Sequence, residues 1–351
     1  MTIENFNIPS DIDEIIKFLD KEYQKFEGKT ILLTGGRGFL GRYFTEIFLK
    51  INKLNKKPCK ILSIDNLITS GILGDQLPKN KNFIFLKKDI TKKIKIDQKV
   101  DYIIHAAGIA SPYYYKKWPL KTLEVATVGL KNVLELAKKN NSKLVFFSSS
   151  EIYGNPDKKN IPTLESYNGN VSCLGPRACY DESKRLGETL VRVYSDQYGL
   201  DASIIRPFNV FGPGMQKNDY RVLPNFISKI VNNEKIQIYG TGNQTRTYCY
   251  VTDAMNGFLR VLLKGGRGEP YNIGNSNPEL SVLNLVKKLE EIYSHKHIRY
   301  DIIDHPDSYP SDEPQRRCPD LIKSFHQLNY KPNVNIDEGL LRYFKWAENN
   351  Y

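Results

Sequence analysis

A doubly wound, parallel α/β sheet is the fold class predicted for this chain of 351 residues, on three observations. Short apolar runs alternate with helical stretches, a glycine-rich turn joins the first run to the first helix, and the last third turns loop-rich. The runs are Ile31-Leu32-Leu33, Ile61-Leu62-Ser63-Ile64, Phe83-Ile84-Phe85-Leu86, Tyr102-Ile103-Ile104 and Leu144-Val145-Phe146-Phe147. Their unbroken apolar character suits strands covered on both faces. Helical periodicity around 39–50 and 120–139 places crossover helices between them, the pattern of βαβ units. A further strand is expected at Ala202–Ile205, after a helix that carries Tyr180 and Lys184.

Ahead of the first strand, Ile12, Ile15, Ile16, Leu19, Tyr23 and Phe26 recur at helical spacing behind Ser10 and Asp13, which resemble a capping box. An amphipathic helix over 10–26 would dock on the core or on a second subunit. Past residue 207, Gly and Pro gather at 212–214, 240–242, 265–270 and 274–278. They mark loops and a smaller region interleaved with the sheet.

Composition removes several functions. Hydrophobic content is 40% and charged content 26%, ordinary for a globular protein, and no apolar run nears the roughly 18 residues that span a bilayer. Met1–Ser10 lacks the basic and apolar regions of a secretory signal, so a cytoplasmic location is expected. Five cysteines, Cys59, Cys173, Cys179, Cys249 and Cys318, have no metal-ligand spacing and suit a reducing compartment. With five histidines and no His-x-x-x-His, no metal site is expected. The net charge of +12 comes from lysines spread along the chain, without the basic blocks that would argue for nucleic acid or a membrane. A phosphorylated small molecule remains as the anionic partner.

The turn Thr34-Gly35-Gly36-Arg37-Gly38-Phe39-Leu40-Gly41 follows the first strand and opens the first helix. Gly35 permits the tight turn, Gly38 lets the backbone approach a pyrophosphate, and Gly41 allows close packing, while the amides at Phe39 and Leu40 open the helix toward phosphate. Asp65, followed by Asn66, ends the second strand. A carboxylate there accepts from ribose hydroxyls and repels a 2′-phosphate, favouring NAD over NADP. Asp89-Ile90 after the third strand would contact adenine, although Asp89 equally suits a turn, and Ala106-Ala107-Gly108 after His105 leave room along the strand ends. The predicted division is an N-terminal extension at 1–28, an NAD-binding domain at 29–207 and a mainly substrate-binding region at 208–351.

Tyr180 and Lys184 stand four apart in Tyr-Asp-Glu-Ser-Lys, which puts a phenol and an ammonium on one helix face. The cation is expected to lower the phenol from about 10 toward working pH. Ser148-Ser149-Ser150-Glu151 ends the fifth strand, at the edge where open α/β sheets hold ligands.

Together these residues resemble the extended short-chain dehydrogenases of the nucleotide-sugar epimerase and dehydratase group, over about Lys29–Trp346. Their glycine spacing is Gly-x-x-Gly-x-x-Gly, as here. Within the group, Gly175–Arg185, Tyr239–Arg246 and Asp312–Asp320 are similar to UDP-glucuronate decarboxylases, or UDP-xylose synthases. The resemblance implies a Rossmann-type domain, bound NAD and a nucleotide-diphosphate sugar substrate oxidised at carbon 4 with Tyr180 as base. Carbon dioxide then leaves the ketone, Ser149 and protonated Tyr180 stabilise the enolate, Glu151 assists proton handling and Lys184 holds the nicotinamide ribose. It assigns Asn209 to the diphosphate, Tyr239 to the substrate, Arg246 to the diphosphate or the sugar carboxylate, and Arg221 and one of Arg316 and Arg317 to the diphosphate as well. Related 4,6-dehydratases have an Asp-Glu pair where this chain has Ser150-Glu151, which favours loss of carbon dioxide over loss of water.

Two departures accompany the resemblance. Ala126 lies where the family often has an Asn near Thr127, and Ala110–Tyr115 lines the sugar pocket only by analogy. A 4-epimerase or 4,6-dehydratase is the alternative reading. A catalytically silent NAD-binding sensor or scaffold is a third, opposed by intact Ser149, Tyr180 and Lys184. The resemblance also implies a homodimer formed through helices near 120–139 and 180–198.

Overall fold

The computed structural model describes residues 8–71, 76–305 and 313–351. Asp312, in the third matched segment, and the start of the N-terminal reading at 1–7 lie outside them. Six strands come in the predicted order: β1 (Thr30–Thr34), β2 (Lys60–Asp65), β3 (Phe83–Lys87), β4 (Tyr102–His105), β5 (Lys143–Phe147) and β6 (Ala202–Pro207). Eight shorter ones follow: β7 (Val210–Phe211), β8 (Ile236–Tyr239), β9 (Thr245–Thr247), β10 (Cys249–Tyr250), β11 (Pro270–Ile273), β12 (Glu279–Ser281), β13 (Tyr300–Ile303) and β14 (Arg316–Arg317).

A seven-stranded parallel sheet runs β11-β6-β5-β4-β1-β2-β3. The chain leaves β1 toward β2 and β3 and then crosses back to β4 on the other side, so the topological switch lies between β1 and β4. Ligands of open α/β sheets bind outside the strand carboxyl ends at such a switch. Alternation along β1 divides the core. Ile31 and Leu33 join the face covered by the helices Phe39–Ile51 and Val251–Lys264, and Leu32 joins the face covered by Leu130–Asn140 and Ala178–Tyr198. Phe83–Leu86 departs from the expected double burial. β3 is an edge strand, so Ile84 is 43% exposed.

β11 comes from the loop-rich part yet completes the main sheet beside β6. The rest of that part forms small sheets, β10-β7, β12-β9-β14 and β13-β8. The N-terminal helix spans Ile8–Leu19 and continues as a tighter turn to Phe26, with Ile12, Ile15, Ile16, Leu19 and Phe26 buried. Ser10 lies inside this helix, so the Ser10–Asp13 capping box is not its start. Asp11 is buried, accepting from the Tyr43 and Tyr250 hydroxyls, and this polar contact fastens the helix to the core. The helical stretch expected at 120–139 contains a π turn at Val125–Gly129, which holds Ala126 buried. No helix among the described residues is long and apolar enough to cross a membrane.

Candidate active site

At the switch point, Gly35 has φ +70° and ends β1 against the loop after β4. A Cβ there would lie 2.7 Å from the Ala107 backbone, and one on Gly41 would lie 2.2 Å from the Gly35 carbonyl oxygen. Only glycine permits this crossing. The helix starting at Phe39 has Gly38 as its N-cap and no side-chain cap, so its first-turn amides open on the crevice. Asp65 accepts backbone N–H bonds from Arg37 at 2.9 Å and Leu67 at 2.7 Å. Each carboxylate oxygen keeps a lone pair for a hydroxyl. Asp89 serves both as a turn residue, accepting from the Thr91 amide and hydroxyl, and as a partner of the Asn66 amide at 3.4 Å. Ile90 is buried below it. These residues fit a dinucleotide: a glycine cradle, first-turn amides without a side-chain cap and a carboxylate at the ribose position.

His105 is fully buried, bonded to Thr34 Oγ1 at 2.7 Å and stacked on Phe146. Burial, and then the charge of Lys184, push it down to about 3. This site therefore carries a neutral imidazole.

The helix Ala178–Tyr198 buries Tyr180, Ser183, Lys184, Gly187, Val191 and Tyr194, a single face, and ends at Gly199 in the left-handed conformation. That face brings Lys184 to β5, where its ammonium donates to the Phe147 carbonyl at 2.7 Å. A Cβ on Gly108 would be 3.1 Å from the same ammonium, so Gly108 keeps that space open. Ser149 hydrogen-bonds the Tyr180 phenol, and its hydroxyl also accepts from the Glu151 amide at 3.2 Å. Tyr115 stacks on Tyr180, with ring centroids 5.5 Å apart.

The expected lowering of Tyr180 is reversed. Burial raises the phenol above its ordinary value, outweighing the Ser149 bond and the charges of Arg221 and Arg177. Lys184 is itself pushed down to about 8 by burial. Spacing placed the pair correctly, but the cost of burying charge acts on both members.

A row of alternating charges lies beside the tyrosine. Arg317 donates to Glu151, Glu151 also pairs with Arg177, Arg177 pairs with Glu313, and Glu313 accepts from Arg246 at 2.6 Å. Asp181 adds a carboxylate 3.5 Å from Arg177. The three arginine side chains are no more than 9% exposed. Burial disfavours a charged Glu313, but Arg177, Arg246 and Arg317 together hold it below the usual carboxylate range. Arg317 is pushed down to about 9, by burial first and then by Arg246 and Arg177.

The remaining sequence candidates divide between the cleft and its surroundings. Ser150 is buried in the short turn after β5. Asn209, at φ +40°, donates to the Thr247 carbonyl at 2.8 Å and ties β7 to β9. Arg221 pairs with Asp219 while its charge still acts on Tyr180. Tyr239 ends β8, half-buried. Adjacent residues of β14 point to opposite sides, so Arg317 faces the charge row and Arg316 turns outward to Glu279 at 2.7 Å. Arg177, Glu313 and Tyr115 had no individual role from sequence. Arg177 stands three residues before Tyr180, and that helical spacing was the available signal.

The family model for the NAD dependent epimerase/dehydratase family matches residues 31–274. The chain belongs to that family. It is 37% identical over 335 residues to UDP-glucuronic acid decarboxylase 1 of Danio rerio, covering 94% of this chain and 75% of that protein. It is 36% identical over 313 residues to UDP-glucuronic acid decarboxylase 6 of Arabidopsis thaliana, covering 88% and 86%. Among solved structures, an epimerase of Methanothermobacter thermautotrophicus superposes with a TM-score of 0.81 at 26% identity, covering 95% of this chain and 96% of the other. UDP-glucuronic acid 4-epimerase of Bacillus cereus, in complex with UDP-glucuronic acid and NAD, gives 0.77 at 26% identity, covering 92% and 100%. The family is NAD-dependent, and the dinucleotide residues described above fit that cofactor.

Proposed function

We propose that this protein decarboxylates UDP-glucuronate to UDP-xylose through a transient 4-keto sugar, with NAD held along the switch-point crevice. The observation that carries the reading is the pair Ser150-Glu151 beside Tyr180: a buried hydroxyl followed by a carboxylate clasped by Arg177 and Arg317. Loss of water needs an acid to protonate a departing hydroxyl. A serine hydroxyl is too weak an acid, and a carboxylate between two guanidiniums is a poor proton donor. Loss of carbon dioxide needs neither. The decarboxylases of Danio rerio and Arabidopsis thaliana support the same reading.

Bound NAD supplies a hydride acceptor at carbon 4 and returns the hydride at the end. Gly35, Gly38, Gly41 and the amides of Phe39 and Leu40 would hold its pyrophosphate, Asp65 and Asn66 its adenosine ribose, and Asp89 and Ile90 its adenine side. Ala106, Ala107 and Gly108 would line its path, and Lys184 its nicotinamide ribose. Tyr180 takes the proton from the carbon 4 hydroxyl. Its raised phenol makes it a strong base once ionised, and Ser149 with the charges of Arg221 and Arg177 stabilises that ionised form. The ketone beta to the carboxylate releases carbon dioxide, and electron density moves onto the ketone oxygen, where protonated Tyr180 and Ser149 donate. A proton then returns to carbon 5 by way of water, which the Glu151 carboxylate orients without donating a proton of its own. Arg246 and Arg317 would orient oxyanions of the substrate, with Asn209, Arg221, Tyr239 and Arg316 around the nucleotide.

Purified protein given UDP-glucuronate without added NAD should release carbon dioxide and UDP-xylose. Recovery of unchanged substrate overturns the proposal. Formation of UDP-galacturonate instead would support a second reading, 4-epimerisation, which the likeness to the Bacillus cereus epimerase favours.

We also propose a cytoplasmic homodimer, with the functional division near residue 207. Support for the dimer is that Leu120 and Val128 on one helical segment, and Leu186, Val193 and Tyr198 on another, are exposed. The five unpaired thiols support a reducing location. Light scattering that gives a monomer mass would refute the dimer.

A further inference from the structure

Two exposed tyrosines meet at the surface near Tyr115 and Arg221, the neighbours of Tyr180. Tyr113 follows β4 and Tyr220 precedes the helix Val222–Val231, yet their rings stack with centroids 5.3 Å apart and planes 13° from parallel. They are 42% and 61% exposed, so the contact is not forced by core packing. Both are tied to the reacting centre. Tyr113 is two residues from Tyr115, whose ring lies on Tyr180, and Tyr220 adjoins Arg221, whose charge acts on the Tyr180 phenol. The Tyr220 segment is anchored elsewhere by Gln216, which donates to the Thr69 carbonyl at 2.7 Å, and is braced internally by the Arg221–Asp219 pair. The anchored Tyr220 segment and the helix Pro112–Lys117 are thus bridged by a weak, exposed aromatic contact, a combination suited to opening and closing.

We infer that Tyr113 and Tyr220 form an aromatic gate that retains the ketone until it is reduced. This rests on the decarboxylation reading. A redox-neutral cycle demands such retention: if the ketone leaves early, UDP-glucuronate and oxidised nicotinamide become carbon dioxide, a UDP-4-keto-pentose and one equivalent of reduced nicotinamide. The hydride comes from carbon 4, and the hydroxyl proton balances the proton gained at carbon 5. The pair therefore sets the partition between xylose and ketopentose products.

The test compares Tyr113→Ala, Tyr220→Ala and the double variant with Tyr113→Phe and Tyr220→Phe. UDP dissociation is followed by stopped flow, and free ketopentose is measured by reductive trapping with labelled borohydride. An exposed ring stack of ordinary strength predicts about a two- to tenfold faster UDP dissociation in either alanine variant. Ketopentose release should rise with it. The double variant should be no faster than the singles, and the phenylalanine variants should match wild type. Unchanged dissociation and product partition in alanine variants with native circular dichroism overturn the gate. If the wild type releases no carbon dioxide, the decarboxylation reading fails, while UDP dissociation still decides whether the gate exists.

Discussion

The two ends of the cleft are built by opposite means. The dinucleotide end is made of backbone: a tight glycine turn, open helix amides, a neutral His105 and one carboxylate held by N–H donors. Its main residues come from one short segment following β1. The end beside Tyr180 is made of side-chain charge, with Glu151, Arg177, Arg246, Glu313 and Arg317 arriving from four separate parts of the chain. A backbone site tolerates little change in shape and a charge network tolerates little change in charge.

That contrast can be broken in order of expected effect. Replacing Tyr180 by Phe keeps the ring stack on Tyr115 and removes the proton carrier. Turnover should fall about a hundred- to ten-thousandfold, with UDP affinity retained by calorimetry; near-normal turnover would remove Tyr180 from the mechanism. Arg177→Met should then cost about 3 kcal/mol or more in urea unfolding, because Glu151 and Glu313 each lose a buried cation. Arg316→Met, on an exposed pair with Glu279, should cost about 0–1 kcal/mol. Equal losses would show that burial of the row is irrelevant.

At the other end, Gly41→Ala pushes a methyl against the Gly35 carbonyl. The expected loss is about 1–3 kcal/mol, with weakened NAD retention on desalting as a second measure. An unchanged melting temperature and full NAD content would deny the tight crossing. The last effect appears only as pH falls and concerns His105. Its folded value near 3 lies below the unfolded value, so the unfolded chain binds the extra proton. Stability from this group is present above about pH 6.5 and is lost as pH falls, by at most about 1.4 kcal/mol per unit. His105→Asn should flatten unfolding free energy between about pH 5 and 6.5; an unchanged slope would place a charged imidazole at this end.

How far the sequence reaches follows from the same contrast. The succession of strands β1 to β6 along the chain, the glycine turn and the Tyr180–Lys184 pair were all legible, because each depends on residues a few positions apart and on period 2 or 3.6. The outward-facing edge of β3 was not, since runs of apolar residues do not say which strand has only one neighbour. Nor was the π turn at Val125–Gly129, which leaves helical periodicity intact on either side.

By itself the sequence determined a doubly wound sheet, a glycine turn between its first strand and first helix, and a tyrosine and lysine on one helix face. Tertiary structure alone decided that Arg177 stands between Glu151 and Glu313, that Arg317 faces inward while Arg316 faces out, and that burial raises Tyr180. Local geometry is carried by neighbouring residues along the backbone. Charge pairing and desolvation depend on which distant side chains share a water-poor space, and only the folded chain brings them together.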